Sequence, residues 1–182
     1  GVERKPDIIA IDGGSTDSGP YALGAGQSKY ARAATKSEWA EIMAARRAAG
    51  VPLVIGTAGT CGTDATVDWM ADITAESAAE TGERLYSGQS AASIAAALAE
   101  GRIAPLSPAP AITPEGLAAM TNIVAPAGAE QIQAALATGA DIVIAGRTTD
   151  TAIIAALPLL RGEHPGGAWH GAKIGECGAL CS

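Results

Sequence analysis

Short runs of apolar residues recur along the chain, and each one ends at a break rich in glycine or proline. The four runs are residues 7–11 (DIIAI), 52–55 (PLVI), 122–125 (NIVA) and 141–145 (DIVIA). Each run is continuously apolar rather than alternating, which is typical of strands that are covered on both faces. The pattern therefore predicts four buried strands that pair in parallel.

Segments with helical periodicity separate these runs. The predicted helices are residues 36–49, 67–81, 90–100, 129–138 and 149–160. Ser37 with Glu38 and Glu41 indicates where the first helix begins, and Gly50 followed by Pro52 indicates where it ends. Because helices alternate with strands, we predict a layered α/β fold with a mostly parallel sheet and crossover helices.

Length and proline content bear on the domain organisation. The chain has 182 residues, of which 48% are hydrophobic, and this is enough for one α/β domain over residues 1–182. Residues 102–114 carry four of the ten prolines. We interpret this stretch as an extended connector within the domain rather than as a domain boundary.

Composition narrows the choice of partners. The net charge is −7, and no cluster of basic residues larger than Arg46 and Arg47 is present to neutralise a phosphate backbone, so we expect no nucleic acid partner. The apolar runs are far shorter than the roughly 20 residues of a membrane-spanning helix, so we expect no membrane insertion. Cys61, Cys177 and Cys181 follow no disulfide spacing, which favours a cytoplasmic location. We also expect a homo-oligomer.

Three loops share a motif that runs from the end of a strand through glycine to a Thr-Asp pair. The loops read IDGGSTD, IGTAGTCGTD and IAGRTTD. In a parallel sheet they emerge together at the carboxyl edge, where open α/β sheets bind ligands. Such a rim suits a carboxylate, a phosphate or a hydrated divalent cation. The predicted ligand-binding residues are Gly13, Gly14, Ser15, Thr16, Gly59, Thr60, Thr63, Arg147, Thr149 and Asp150. Helix capping by the Thr and Asp side chains is the alternative interpretation.

The candidate catalytic residues are acidic or can transfer protons. Asp12 ends a buried strand, where burial can raise the pKa of a carboxyl group toward neutral pH. Asp17 and Asp64 belong to the Thr-Asp pairs, while His170 and Glu176 lie in the segment WHGAKIGECGALC. Arg147 is predicted to hold an anion through its guanidinium group.

The segment WHGAKIGECGALC has neither the ligand set of a metal site nor a strong helix signal. Cys177 and Cys181 with one histidine do not complete a zinc tetrahedron, so no metal site is predicted. Burial in the core is the alternative for the cysteines. Gly171, Gly175 and Gly178 disfavour a helix, and an irregular turn is equally compatible with the segment.

The stretches AIDGGSTDSGPYALG, GTAGTCGTDATVDWM, ADIVIAGRTTDTAIIAALPL and AWHGAKIGECGALC occur in this order over nearly the whole chain. Together they resemble the N-terminal part of the acyclic terpene utilisation proteins (AtuA-like). The resemblance implies a role in the breakdown of acyclic isoprenoids such as citronellol and geraniol, beside acyl-CoA enzymes. It also implies a longer polypeptide whose remaining C-terminal part packs against this domain.

These observations favour a catabolic enzyme that acts on a small branched or isoprenoid-derived carboxylate or acyl-CoA. A hydratase or lyase that uses carboxylate acid/base chemistry is the leading hypothesis, with a coenzyme A thioester as a candidate substrate. Three alternatives stay open. They are a self-processed amide or ester hydrolase with its nucleophile on a second chain, a non-catalytic binding or scaffold subunit, and an actin-like ATPase or sugar kinase suggested by IDGGST.

Overall fold

A four-stranded parallel sheet forms the centre of the protein. The computed structural model describes residues 1–15, 19–78, 85–87, 104 and 106–178. The strands are β1 (Ile9–Asp12), β2 (Leu53–Gly56), β3 (Leu85–Ser87) and β4 (Ile142–Ile144). They lie in the order β1-β2-β4-β3, with Leu53 opposite both Ile9 and Ile142. The predicted α/β fold class is confirmed.

Helices connect the strands and cover the sheet. After one turn of 3-10 helix at Val2–Arg4, the α-helices in the described residues are α1 (Tyr21–Ala25), α2 (Arg32–Ala49), α3 (Asp64–Ala78), α4 (Pro114–Ala118), α5 (Ala129–Ala137), α6 (Ala152–Leu160) and α7 (Pro165–Glu176). None of these helices has the length and apolar character required to cross a membrane.

Two hydrophobic clusters lie on opposite faces of the sheet. The order of the strands explains why helices cover both faces. From β1 to β3 the chain advances in one direction across the sheet, and from β3 to β4 it returns, so right-handed crossovers place helices on opposite faces. The cluster on the first face joins side chains of α2 and α3 to Ile55 and Ile144. The cluster on the second face joins α5 and α6 to Val54 and Val143. Alternate strand residues therefore serve different layers.

Three of the four predicted strands are present, and the one predicted at residues 122–125 is wrong. That segment has no regular structure, and just after it Ala127 forms only an isolated bridge with Thr148. Two physical causes account for the difference. Pro126 lacks the N–H that a strand needs, and β2 and β3 already occupy both sides of β4. The short strand β3, with polar neighbours in sequence, is not signalled by the apolar pattern.

The helix predictions differ from the structure mainly at their starts. Helix α2 begins at Arg32, so the predicted start at Ser37 is wrong, whereas Gly50 ends the helix in the left-handed conformation with φ 68°. The predicted helix at residues 149–160 begins only at Ala152. The prediction at 67–81 corresponds to α3, with residues 79–81 outside the described residues, and the one at 90–100 lies wholly outside them.

The glycine-containing segment near the end of the described residues forms helix α7. His164 caps it, because the Nδ1 atom accepts a hydrogen bond from Gly167 N at 3.3 Å. Pro165 occupies the first turn, where no backbone N–H is required. Ala172 is buried, and α7 packs against α6. Capping and packing therefore outweigh the low helix propensity of the glycines.

Arg46 links α2 to the amino ends of two strands. Its Nε atom donates to the carbonyl oxygen of Val51 at 2.8 Å, and its guanidinium pairs with the Asp141 carboxylate. The Arg46 side chain is only 13% exposed. We expect Arg46→Leu to lower the free energy of unfolding by about 2 kcal/mol, the range for hydrogen bonds to charged groups. Urea denaturation followed by circular dichroism measures the change.

Arg161 offers a matched control, because it pairs with Asp7 at the surface. Its side chain is 50% exposed and that of Asp7 is 70% exposed. We expect Arg161→Leu to change the free energy of unfolding by about 0.5 kcal/mol or less. Equal losses in the two variants would contradict the structural role of Arg46.

Candidate functional site

The loops that follow β1, β2 and β4 pack directly against one another at the carboxyl edge of the sheet. Their glycines make this close approach possible. A Cβ atom on Gly14 would lie 1.9 Å from the carbonyl oxygen of Thr60, and one on Gly62 would lie 2.3 Å from Arg147 N. On Gly56 a Cβ would lie 2.2 Å from Thr148 Oγ1. The predicted convergence of the loops is therefore present. It depends on these glycines, because a side chain at any of the three positions would overlap the neighbouring loop.

The backbone amides of the first loop are used within the protein. Gly13 N donates to the carbonyl oxygen of Gly56 at 2.8 Å, and Gly14 N donates to Asp12 Oδ1 at 3.2 Å. These two amides differ from those of a phosphate-binding loop, which point at the ligand. Strand β1 also pairs in parallel with β2, and α1 follows the loop, so the hairpin expected of an actin-like ATPase is not formed by the described residues.

The second loop holds two threonines in a backbone conformation that β-branched residues rarely adopt. Thr57 has φ 48° and Thr60 has φ 83°. Each such residue costs on the order of 1–3 kcal/mol, and strain of this kind is concentrated at functional sites. Side-chain hydrogen bonds hold both residues in place. Thr148 N donates to Thr57 Oγ1 at 3.3 Å, and Lys29 N donates to Thr60 Oγ1 at 3.2 Å.

Asp12 belongs to a group of carboxyl groups that the tertiary structure brings together. Burial is the main cause that raises the pKa of Asp12, and the hydrogen bond from Gly14 N opposes it. The negative charges of Asp150 and Glu176 raise the pKa of Asp12 further, while the positive charge of Arg147 lowers it. Asp12 therefore has a higher proton affinity than an ordinary carboxylate.

Asp150 and Glu176 are the other two carboxyl groups that lie near Asp12. Burial raises the pKa of Asp150, Arg147 lowers it, and a hydrogen bond shared with Glu176 raises it. The hydrogen bond from Lys173 lowers the pKa of Glu176, whose side chain is only 7% exposed. The environment therefore shifts the pKa values of the two carboxyl groups in opposite directions, upward for Asp150 and downward for Glu176.

Arg147 connects the first loop to the carboxyl groups. Its Nη1 atom donates to the carbonyl oxygen of Gly14 at 3.4 Å, and its Nη2 atom lies 3.8 Å from Asp150 Oδ1. Its side chain is 16% exposed. The guanidinium group predicted to hold an anion is therefore engaged with groups of the protein itself, and it fixes the first loop relative to Asp150.

A cleft of about 460 Å³ opens on the α2 side of the first loop. Its apolar wall is formed mainly by residues of α2, α3, β1 and β2, namely Ile11, Trp39, Ile42, Ile55, Trp69 and Met70. Its polar side includes Asp12, Ser15, Ser28, Lys29, Glu38 and Thr60. The cleft therefore combines an apolar surface with an acidic group of raised pKa and an ammonium group.

The structure divides the predicted site residues into several groups. Those that line the cleft are Asp12, Gly13, Gly14, Ser15, Gly59 and Thr60. Those beside the first loop but outside the cleft are Arg147, Asp150 and Glu176. Asp64, Thr149 and His170 are exposed elsewhere. Thr63 is buried and caps α3 through a hydrogen bond from Thr66 N at 3.4 Å, as in the alternative interpretation. Thr16 and Asp17 lie outside the described residues.

Several residues of the cleft were not predicted from sequence. Trp39 lies four residues before the core residue Met43 on α2, and this spacing indicates only that one face of the helix is buried. Lys29 and Ser28 lie in a loop without apolar periodicity.

Cys61 is buried and Cys177 is exposed, while Cys181 lies outside the described residues. Within residues the structure describes, no three His, Cys, Asp or Glu side chains are placed to hold a metal ion.

The fold and the site define an α/β protein with an acidic cleft at the carboxyl edge of a parallel sheet. Residues 26–161 match the family described as acyclic terpene utilisation family protein AtuA. This match spans more than half of the 182 residues, and the chain belongs to the AtuA family. The family implies involvement in acyclic terpene utilisation. Asp12 and helix α7 lie outside the matched range. No curated protein matches the chain, and no solved structure matches it.

The environment of Asp150 leads to a prediction about stability. Its raised pKa means that the folded state favours the protonated form, so the contribution of this group to stability falls as pH rises from 3.8 through the folded-state pKa. Asp150→Asn removes this partly buried charge. We expect it to raise Tm at pH 7 by roughly 2 °C, the shift that a fraction of a kcal/mol produces in a chain of this size. Thermal unfolding between pH 4 and pH 8 measures it.

Asp68 supplies the control for this measurement, because it is exposed on α3. We expect Asp68→Asn to leave Tm unchanged at every pH. A lower Tm for Asp150→Asn at pH 7 would show that the ionised carboxylate stabilises the fold and would contradict the assignment.

Proposed function

We propose that the protein is a catabolic enzyme that adds water to, or removes water from, a small branched carboxylate or its coenzyme A thioester. The observation that carries this proposal is the position of Asp12. It lines a cleft with an apolar wall, and burial raises the pKa of its carboxyl group. A carboxyl group whose pKa is raised above its ordinary value accepts a proton more readily, as a group that takes and returns a proton requires.

The reaction requires one group that first removes a proton and then returns it. Asp12 removes a proton from water as the water oxygen bonds to the β-carbon of a conjugated C=C bond. The electron pair of that bond moves toward the carbonyl group, and the α-carbon then takes the proton back from Asp12. H and OH are added across the double bond without any redox change, and the reverse sequence removes water.

The walls of the cleft support the choice of substrate. Ile42, Ile55 and Met70 present aliphatic surface that a branched hydrocarbon chain can cover, and this burial favours binding by about 25 cal/mol per Å². Lys29 lines the same cleft and supplies a positive charge for a carboxylate or thioester end. Involvement of the family in acyclic terpene utilisation agrees with a branched chain.

The test uses 3-methylbut-2-enoate and its coenzyme A thioester, with the linear but-2-enoate pair for comparison. Loss of absorbance of the conjugated double bond measures hydration, and NMR in D₂O measures deuterium incorporation at the α-carbon. We expect the branched compounds to react faster than the linear ones, because the linear chain covers less of the apolar wall. The proposal fails if neither hydration nor α-deuteration exceeds the rate without protein for all four compounds.

A further inference from the structure

Trp39 carries a buried hydrogen-bond donor that nothing in the described part of the chain accepts. The residue is 3% exposed and lines the cleft. Its Nε1 atom is buried and has no hydrogen-bond partner in the part of the chain that the structure describes. An unsatisfied buried donor destabilises the folded state, and native proteins rarely keep one without a role.

The position of Trp39 within the cleft limits what can use this donor. The indole ring packs within the hydrophobic core cluster that contains Met43, Ile55 and Met70. Thr35, Glu38 and Ile42 belong to the same helix and also line the cleft. Trp39 lines the cleft beside them, so a ligand in the cleft lies next to the indole side chain.

We propose that Trp39 determines ligand specificity by donating a hydrogen bond from Nε1 to a hydroxyl oxygen on the branched carbon chain of the ligand. The inference rests on the proposed function, because hydration places a hydroxyl group on the β-carbon of a branched acid. Tryptophan is suited to this role because its indole combines a large apolar surface with one donor. The ligand class is a small branched hydroxycarboxylate.

Two probes of similar shape isolate the hydrogen bond. In 3-hydroxy-3-methylbutanoate a hydroxyl group occupies the position that a methyl group occupies in 3,3-dimethylbutanoate. Isothermal titration calorimetry gives Kd for both probes with the wild type and with Trp39→Phe. The smaller ring of phenylalanine affects both probes alike, so the ratio of the two Kd values reports the Nε1 donor. We expect Trp39→Phe to shift this ratio against the hydroxylated probe by about five-fold, the effect of one neutral hydrogen bond.

Trp169→Phe serves as the control, since Trp169 is 39% exposed on α7 and does not line the cleft. It should leave both Kd values unchanged. A second measurement avoids dependence on the folding of Trp39→Phe. In ¹⁵N-labelled wild type, the indole resonance of Trp39 should move downfield with the hydroxylated probe and not with the dimethyl probe, and Trp69→Phe and Trp169→Phe identify the other two resonances.

The outcomes separate this inference from the proposed function. An unchanged Kd ratio together with an unmoved Trp39 resonance overturns the role of Trp39, and hydration activity in the wild type would then leave the proposed function standing. If the wild type binds neither probe and hydrates no branched acid, both proposals are overturned.

Discussion

Gly14→Ala is expected to lower the free energy of unfolding by about 3 kcal/mol, the upper part of the usual range for overpacking. The new Cβ atom would lie 1.9 Å from the carbonyl oxygen of Thr60 and 2.5 Å from its carbonyl carbon. Both are backbone atoms of a loop that is already strained at Thr60, so no side-chain rotation can relieve the overlap. Equilibrium unfolding in urea measures the loss.

Gly171→Ala is the matched control for this substitution. Gly171 lies in the interior of α7, and nothing lies within 4 Å of a Cβ placed there. Because alanine has the higher helix propensity, we expect this variant to gain up to about 1 kcal/mol. If Gly14→Ala were as stable as the wild type, the close packing of the first two loops would be wrong.

Asp12→Asn is expected to lower kcat/KM for hydration of the branched acid by about 10²- to 10⁴-fold, the usual contribution of a general acid/base. The amide has nearly the same shape as the carboxyl group but cannot take a proton from water. Burial raises the pKa of Asp12, so the charge is unfavourable in the fold at neutral pH and its removal should not destabilise the protein. The acid limb of the wild-type pH–rate profile should lie above the ordinary value of 3.8.

Asp64→Asn tests whether position matters rather than acidity alone. Asp64 follows the second loop as Asp12 precedes the first, but it is exposed outside the cleft. We expect it to keep kcat/KM within a factor of about two, since it contacts none of the reacting atoms. Equal turnover by Asp12→Asn and the wild type would remove Asp12 from the mechanism.

Local features of the fold could be predicted from the amino-acid pattern. Continuous apolar runs predict β2 and β4 because a strand buried on both faces has no polar side to display. The same kind of run predicts the position of β1, although this edge strand is only partly buried. The end of α2 is predicted because Gly50 adopts φ 68° without a steric cost. The meeting of three glycine loops at one edge also follows from sequence, since all strands of a parallel sheet point the same way. Asp12 is predicted as a site residue on the same basis.

Features that depend on contacts between distant segments could not be predicted from that pattern. The place of β3 beside β4, and the exclusion of residues 122–125 from the sheet, follow from competition for the edges of β4. The contact between Asp150 and Glu176 requires α7 to pack on α6, although glycines make α7 a weak helix by propensity. The burial of Trp39 beside the cleft requires both α2 and α3. The periodicity of the sequence indicates which face of a helix or strand is apolar. Strand pairing and helix packing between residues far apart in sequence decide which residues that face contacts.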